Sequence, residues 1–323
     1  MVRSPFTRRL ILLYAALIVG NLAAWGWAIS LFGGNAALMG TALLAYALGL
    51  RHAVDADHIA AIDNTTRKLV QDGKRPLGVG LYFSLGHSTV VALASAAIAL
   101  ASLKLGRLEW LHQIGGTIGT AVSAGFLFLI AAANIVTLAG ILRAMHGGEL
   151  PALPGGLLGR LLAPVMRLVS RSWHLYPLGF LFGLGFDTAS EIGLLGISAA
   201  QASHAVPFWS IMVFPALFTA GMTLIDTTDG VLMTGAYGWA LVRPQRKLIY
   251  NLTVTLFSIL VALVIGALEA ANLLAGRLAL EGPAWRFVAR LNEHFGALGL
   301  ATILGLTGCW ALSLLVARVR APA

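Results

Sequence analysis

Residues 51–59 read Arg51-His52-Ala53-Val54-Asp55-Ala56-Asp57-His58-Ile59. Two imidazoles and two carboxylates within seven residues are all metal ligands by type. They close an apolar run that starts near Asn35 and is long enough to cross a bilayer. A charged group at the bilayer centre costs roughly 2.5–3.5 kcal/mol on insertion scales, so four polar groups this close do not face lipid. Imidazole with carboxylate suits Ni²⁺, Co²⁺ or Zn²⁺, whereas Cu(I) asks for soft sulfur and Ca²⁺ for oxygen alone. On a continuous helix His52, Asp55 and His58 share one face of about 120°, with Asp57 off that face. Asp57 then pairs with another helix, orients a histidine, or joins the site if the helix unwinds. Arg51 falls on the ligand face, where it would hold an acid ionised when no metal is bound. The plain alternative is a buried hydrogen-bond network between helices. Four such groups in seven residues favour metal handling.

Other apolar stretches carry matching chemistry. Phe83-Ser84-Leu85-Gly86-His87-Ser88-Thr89 places one histidine in the third stretch. Gly86, Ser88 and Thr89 allow close helix contact, which by itself supports a packing role for His87. Depth points to the metal path. His87 follows Arg75 by roughly 18 Å of helix, and His58 precedes Arg67 by roughly 13–14 Å, at about 1.5 Å per residue. Asp187 and Glu191 are spaced i,i+4, and Asp226 and Asp229 i,i+3. Two like charges on one helix face repel unless a cation or proton lies between them. The alternative is a protonated acid bonded to neighbouring Ser or Thr. Asn21 and Asn134 read either as links between helices or as part of a metal path. Glu269, beside Asn272, is expected to snorkel to the outer interface.

The elements that must position these residues are membrane helices. The chain has 323 residues, 58% hydrophobic and 11% charged, against about 25% charged in ordinary soluble domains. The fold class expected is all-α, a polytopic transmembrane bundle of about eight helices, over roughly 10–32, 36–62, 77–101, 115–142, 176–200, 208–240, 248–275 and 296–317. The sixth is long enough to tilt, or to break near Gly230 or Gly235. The net charge of +9 does not indicate nucleic acid. Within these spans seven acids stand against Arg51 alone, and the loops hold 21 Lys/Arg against 6 acids. A negative interior under positive loops suits a cation path. With the N-terminus in the cytoplasm, inside segments hold 16 Lys/Arg and outside loops 5, which predicts both termini cytoplasmic. The first span is longer than a signal-peptide core and reads as an uncleaved helix. One cysteine, Cys309, excludes a disulfide framework and a cysteine-based metal cluster.

The whole chain, 1–323, reads as one membrane domain, with a four-plus-four organisation over 1–142 and 176–323 joined by an inside loop, 143–175. Asp55-Ala56-Asp57 and Asp226-Thr227-Thr228-Asp229 echo one another ahead of basic loops, as a parallel repeat would. Arg160, Arg167 and Arg171 fall on one face of that loop and either suit an anionic leaflet or simply mark a positive inside loop with no specific role. The segment 283–294, with Trp285 and Phe287, is a smaller version.

Together these residues resemble the nickel/cobalt transporter family of bacterial and fungal permeases. The family signature Arg-His-Ala-(Val/Phe)-Asp-Ala-Asp-His-Ile is matched at 51–59. Gly-His-Ser-Thr is matched at 86–89, Leu-Gly-Phe-Asp-Thr-Ala-Thr-Glu at 184–191 with Ser190 for Thr, and Gly-Met…Asp-Thr-x-Asp at 221–229. The resemblance implies that His52, Asp55, Asp57 and His58 are needed for transport. His87, Asn134, Asp187, Glu191, Asp226 and Asp229 match supporting motifs. It implies a secondary transporter of the inner membrane with Ni²⁺ or Co²⁺ as substrate, no cofactor, and lipid as its surroundings. No P-loop is present. One rival is export of the same ions coupled to protons. The loops hold scattered histidines, among them His112, His146, His174 and His294, without a His-rich run, which favours import. A second rival, an intramembrane metal-dependent hydrolase, would need a general base and a substrate cleft, and no His-Glu-x-x-His motif occurs.

Overall fold

The computed structural model describes residues 5–101, 106–145, 169–185, 189–204, 206–240 and 244–319. These are helical almost throughout, with no strand among the described residues. The helices are α1 (Pro5–Phe32), α2 (Ala36–His52), α3 (Ala56–Gln71), α4 (Val79–Ala101), α5 (Gly106–Met145), α6 (Leu175–Gly183), α7 (Ala189–Ser203), α8 (Phe208–Ile211), α9 (Val213–Ala240), α10 (Pro244–Leu278), α11 (Pro283–Glu293) and α12 (Phe295–Val319). A single 3₁₀ turn, Ser172–His174, leads into α6.

Apolar length follows the sequence reading in part. Among the described residues five helical stretches are long and apolar enough to cross a membrane: Pro5–Phe32, Val79–Leu100, Thr117–Val136, Phe208–Gly238 and Leu252–Leu278. The interrupted pair α2 and α3 adds a sixth. Large apolar side chains such as Leu12, Ile18, Val19 and Leu22 on α1 are exposed. An unpaired apolar surface of this kind is natural where the solvent is hydrocarbon. The protein is therefore a multi-pass membrane protein.

Two expectations change. The run 36–62 is not one helix. The N–H groups of Ala53 and Val54 turn back onto Gly49 and Arg51, and Asp55 is extended at φ −66°, ψ 145° before α3 begins. Asp favours the position just ahead of a helix because its side chain competes with helical backbone bonding. Asp57 then sits in the first turn of α3, at the positive end of its dipole. The stretch 176–200 is likewise divided, with Leu184 and Gly185 non-helical between α6 and α7. By contrast α9 runs unbroken through Gly230 and Gly235. Arg160 and Arg167 of the inside loop lie outside the described residues. Segment 283–294 does form an amphipathic helix, α11, without a buried residue.

The chain divides into two compact units. The first comprises 1–54, 77–122 and 172–230; the second, 55–76, 123–171 and 231–323. In the first unit, Phe32 stacks on Phe214 at 5.5 Å between centroids, over a floor of Ala28, Ala42 and Ala45. Helices approach closely where side chains vanish. A Cβ on Gly86 of α4 would lie 2.0 Å from the carbonyl oxygen of Tyr176, and one on Gly179 of α6 would lie 2.0 Å from that of Phe83. This mutual glycine contact sets α4 against α6 without a side-chain layer. In the second unit, Leu127, Ala131, Ala262, Ile265 and Phe295 pack with Ala56 and Ala60 of α3. Val70, Met233, Tyr237, Val254 and Leu306 form a second cluster. Helix α3 packs against α10 and α12. It is polar in sequence, yet 13 of its residues are buried.

Candidate metal site

The last turn of α2 carries His52, the middle of α4 carries His87, and the first turn of α7 carries Glu191. All three lie in the first unit and are at most 2% exposed. His52 Nε2 lies 2.9 Å from His87 Nε2, and His87 Nε2 lies 2.8 Å from Glu191 Oε1. The imidazole centroids are 4.7 Å apart. Local sequence explains how α4 delivers its ring. Gly86 and Gly183 let the α4 backbone approach α6, with a Cβ on Gly183 falling 2.8 Å from the His87 carbonyl oxygen. Phe83 and Phe218 wall the rings on their apolar sides, at 6.4 Å from His87 and 5.5 Å from His52.

Two ring nitrogens at 2.9 Å cannot both present lone pairs to each other without a proton or a cation between them. A carboxylate oxygen reaches the same nitrogen. Two imidazoles and a carboxylate converging in a buried place are the donors that a borderline divalent ion takes.

Arg51 is half-buried beside this cluster. Its guanidinium donates to Ser190 Oγ at 2.5 Å. Ser190 lies one residue before Glu191. The hydroxyl that Ser190 keeps in place of threonine is therefore in use.

The second unit holds the remaining residues of the 51–59 signature. Asp55 caps the start of α3 through its backbone and is fully buried, Asp57 is half-buried in the first turn, and His58 is fully buried. The helix break overturns the shared-face argument for His52, Asp55 and His58, which required one uninterrupted helix. Arg67 also changes role. It is not a loop charge: it lies inside α3 and is 3% exposed, so it does not mark an interface from which to measure the depth of His58.

Among the acid pairs, Asp187 lies outside the described residues. Asp226 is fully buried on α9 and accepts from Ser84 Oγ of α4 at 2.5 Å. Asp229 is buried three residues on. Asn21 links three helices: its amide donates to the carbonyls of Leu17 and Ala220, and its oxygen accepts from Tyr46. It also lines an apolar crevice of about 440 Å³ between α1, α4 and α9. Asn134 donates to Asn64 at 2.7 Å. Glu269 does not snorkel. It is 4% exposed and accepts from Ser123 Oγ at 2.9 Å. A hydroxyl donor on the neighbouring α5 outweighs the route to the interface.

A group of residues escaped the sequence reading. Asp63, Asn64, Tyr237, Thr255 and Ser258 are all buried polar residues of the second unit. The run Ile62-Asp63-Asn64-Thr65-Thr66-Arg67 carried the signal, since a 3.6-residue period puts Asp63 and Arg67 on one side. Its low hydropathy places it beyond the apolar span 36–62.

The family described as high-affinity nickel-transport protein matches residues 38–316. The chain belongs to the high-affinity nickel-transport protein family. It is 54% identical to the high-affinity nickel transport protein of Cupriavidus necator, over 97% of this chain and 92% of that one. It is 44% identical to the nickel transporter NicT of Mycobacterium tuberculosis, over 95% and 88%. It is 38% identical to the cobalt transport protein NhlF of Rhodococcus rhodochrous, over 95% and 92%. No solved structure matches the chain. Membership sets the chain among transport proteins rather than enzymes, which removes the hydrolase reading.

Proposed function

We propose that this protein is a secondary transporter that imports Ni²⁺, with Co²⁺ as a second substrate, across the cytoplasmic membrane. The observation that carries this reading is the buried meeting of His52, His87 and Glu191 in a chain of the nickel-transport family. His52, Asp55, Asp57, His58 and His87 are the proposed ligand set, joined by Glu191. His58 lies six residues beyond His52 along the chain. Asp226, Asp229, Asp187, Asn21, Asn134 and Arg51 are proposed to line or gate the path. The cobalt assignment rests on the named activity of the Rhodococcus relative and on donors that suit both ions. Eight crossings are proposed by counting α6 with α7 as one and α12 as the last.

Inward transport needs no ATP. A charge crossing a 100 mV potential gains about 2.3 kcal/mol, so a divalent ion gains about 4.6 kcal/mol, a roughly thousandfold accumulation. The test is ⁶³Ni²⁺ accumulation in a host lacking nickel uptake. The parent protein accumulates nickel, and His52→Ala, His87→Ala and His58→Ala each reduce uptake to the host background while reaching the membrane in parental amounts. Parental uptake by membrane-inserted His52→Ala and His87→Ala sinks the ligand assignment. Lower nickel content than the empty host would instead establish export.

A further inference from the structure

The second unit contains a polar network that none of the proposed ligands explains. Asp63 of α3 accepts from the Tyr237 hydroxyl of α9, and from Ser258 Oγ of α10 at 3.2 Å. One turn later on α3, Arg67 donates to Thr255 Oγ1 of α10 at 2.8 Å and to Asn64 Oδ1 at 3.4 Å. Asn64 Oδ1 also accepts from Asn134 of α5 at 2.7 Å, and Asn64 Nδ2 donates to the Ala60 carbonyl at 2.7 Å. Every one of these residues is at most 9% exposed. A buried acid and a buried base four residues apart lie on one side of a helix. Both find hydroxyl partners on α10, Asp63 finds another on α9, and Asn64 carries the network on to Asn134 of α5.

Such a network is costly as a source of stability. Removing charges from water costs more than a well-packed apolar core of the same volume would. What it supplies is direction, because hydrogen bonds to three helices fix the rotation and the axial register of α3, whereas apolar packing tolerates sliding and turning. The first turn of the same helix carries Asp57 and His58, five residues ahead of Asp63 in the case of His58. We propose that Asp63, with Tyr237 and Ser258, and Arg67, with Thr255, Asn64 and Asn134, are positioning residues. They hold α3 so that His58 and Asp57 meet the metal ion in a fixed geometry. This inference rests on the proposed role of His58 as a ligand.

The test is the kinetics of ⁶³Ni²⁺ uptake, measured with Tyr237→Phe, Asp63→Asn and His58→Ala. Tyr237→Phe removes one hydroxyl and keeps the ring that packs with Val70 and Met233. Asp63→Asn keeps the size and an acceptor oxygen. Both are expected to reach the membrane in parental amounts. Both are also expected to raise the apparent KM for Ni²⁺ about tenfold with little change in maximal rate, the low end of what loss of a ligand-orienting group costs in metal affinity. Adding Tyr237→Phe to Asp63→Asn should cost less than the sum of the two, since both changes act on the same contact. A merely structural network would lower the amount of protein or the maximal rate and leave KM alone. Parental KM in Tyr237→Phe and Asp63→Asn, with His58→Ala inactive, overturns the positioning role and leaves the ligand role standing. Parental uptake by His58→Ala removes the ligand role on which the inference rests, whatever the other variants do.

Discussion

Ser190 shows how one oxygen ties a charge to the site. Its hydroxyl accepts from the Arg51 guanidinium at 2.5 Å and stands next to Glu191, whose carboxylate reaches His87. A hydrogen bond to a charged group contributes about 1.5–3 kcal/mol, and Ser190→Ala removes that contribution. Ser190→Ala is therefore expected to reduce nickel uptake about tenfold or more, and Ser190→Thr, which restores the hydroxyl, to keep at least half of the parental rate. Initial-rate uptake at equal membrane abundance decides between them. Equal rates in the two variants would show that Arg51 finds another partner at no cost. The ligand types at this scale were legible in sequence. His52, His58 and His87 stand out because apolar runs rarely carry imidazoles. The partner of Glu191 was not legible. Spacing of i,i+4 pairs it with Asp187 on the same helix, whereas the structure sets it against His87 on another. Contacts between helices leave no periodic mark along one chain.

At the scale of the element, close backbone approach matters more than side-chain volume. The α4–α6 contact depends on Gly86 and Gly179, each of whose missing Cβ would lie 2.0 Å from a carbonyl oxygen of the other helix. A backbone oxygen cannot turn aside as a flexible side chain can, so a larger residue must push the helices apart. Gly86→Val and Gly179→Val are expected to lower the melting temperature of the detergent-solubilised protein and to reduce uptake in proportion. Overpacking of this kind costs typically about 1–3 kcal/mol. Gly40 on α2 meets nothing within 4 Å, and Gly40→Ala should match or exceed the parental melting temperature, as helix propensity alone dictates. A melting temperature unchanged in Gly86→Val would mean that α4 and α6 do not pack through their backbones. Apolar length made most helices legible in sequence, among them α1, α4, α9 and α10. It failed where a span is interrupted. The break at Ala53–Asp55 lies at the polar end of an apolar run, and hydropathy sums over 20 residues do not register a single extended aspartate. The same smoothing hid α3 beyond Ile62. Its Asp63, Asn64 and Arg67 read as a loop edge because burial of polar residues depends on partners from α5, α9 and α10.

The whole molecule adds a constraint that no single helix carries, the distribution of charge along the chain. Expected inside segments hold 16 Lys/Arg against 5 outside. Basic residues near span ends are retained on the cytoplasmic side during insertion, and acidic ones contribute little to that choice. Burial of Arg67 within α3 takes one of the 16 away from the loops, and the remaining asymmetry still points the same way. Lys68 and Lys74 support it, since their ammonium groups donate to the carbonyls of Val169 and Ser170. These contacts bring the turn after α3 and the end of the 143–175 connection together within the second unit, as two segments on one side of the membrane require. Both termini are accordingly expected in the cytoplasm, with an even number of crossings. Fusions of alkaline phosphatase and of a green fluorescent protein to each terminus read this directly, because the first is active only in the periplasm and the second fluoresces only in the cytoplasm. Fluorescence without phosphatase activity is expected at both ends. Phosphatase activity at the C-terminus alone would make the number of crossings odd. Either α6 with α7 or the pair α2 and α3 would then enter and leave by the same face instead of crossing.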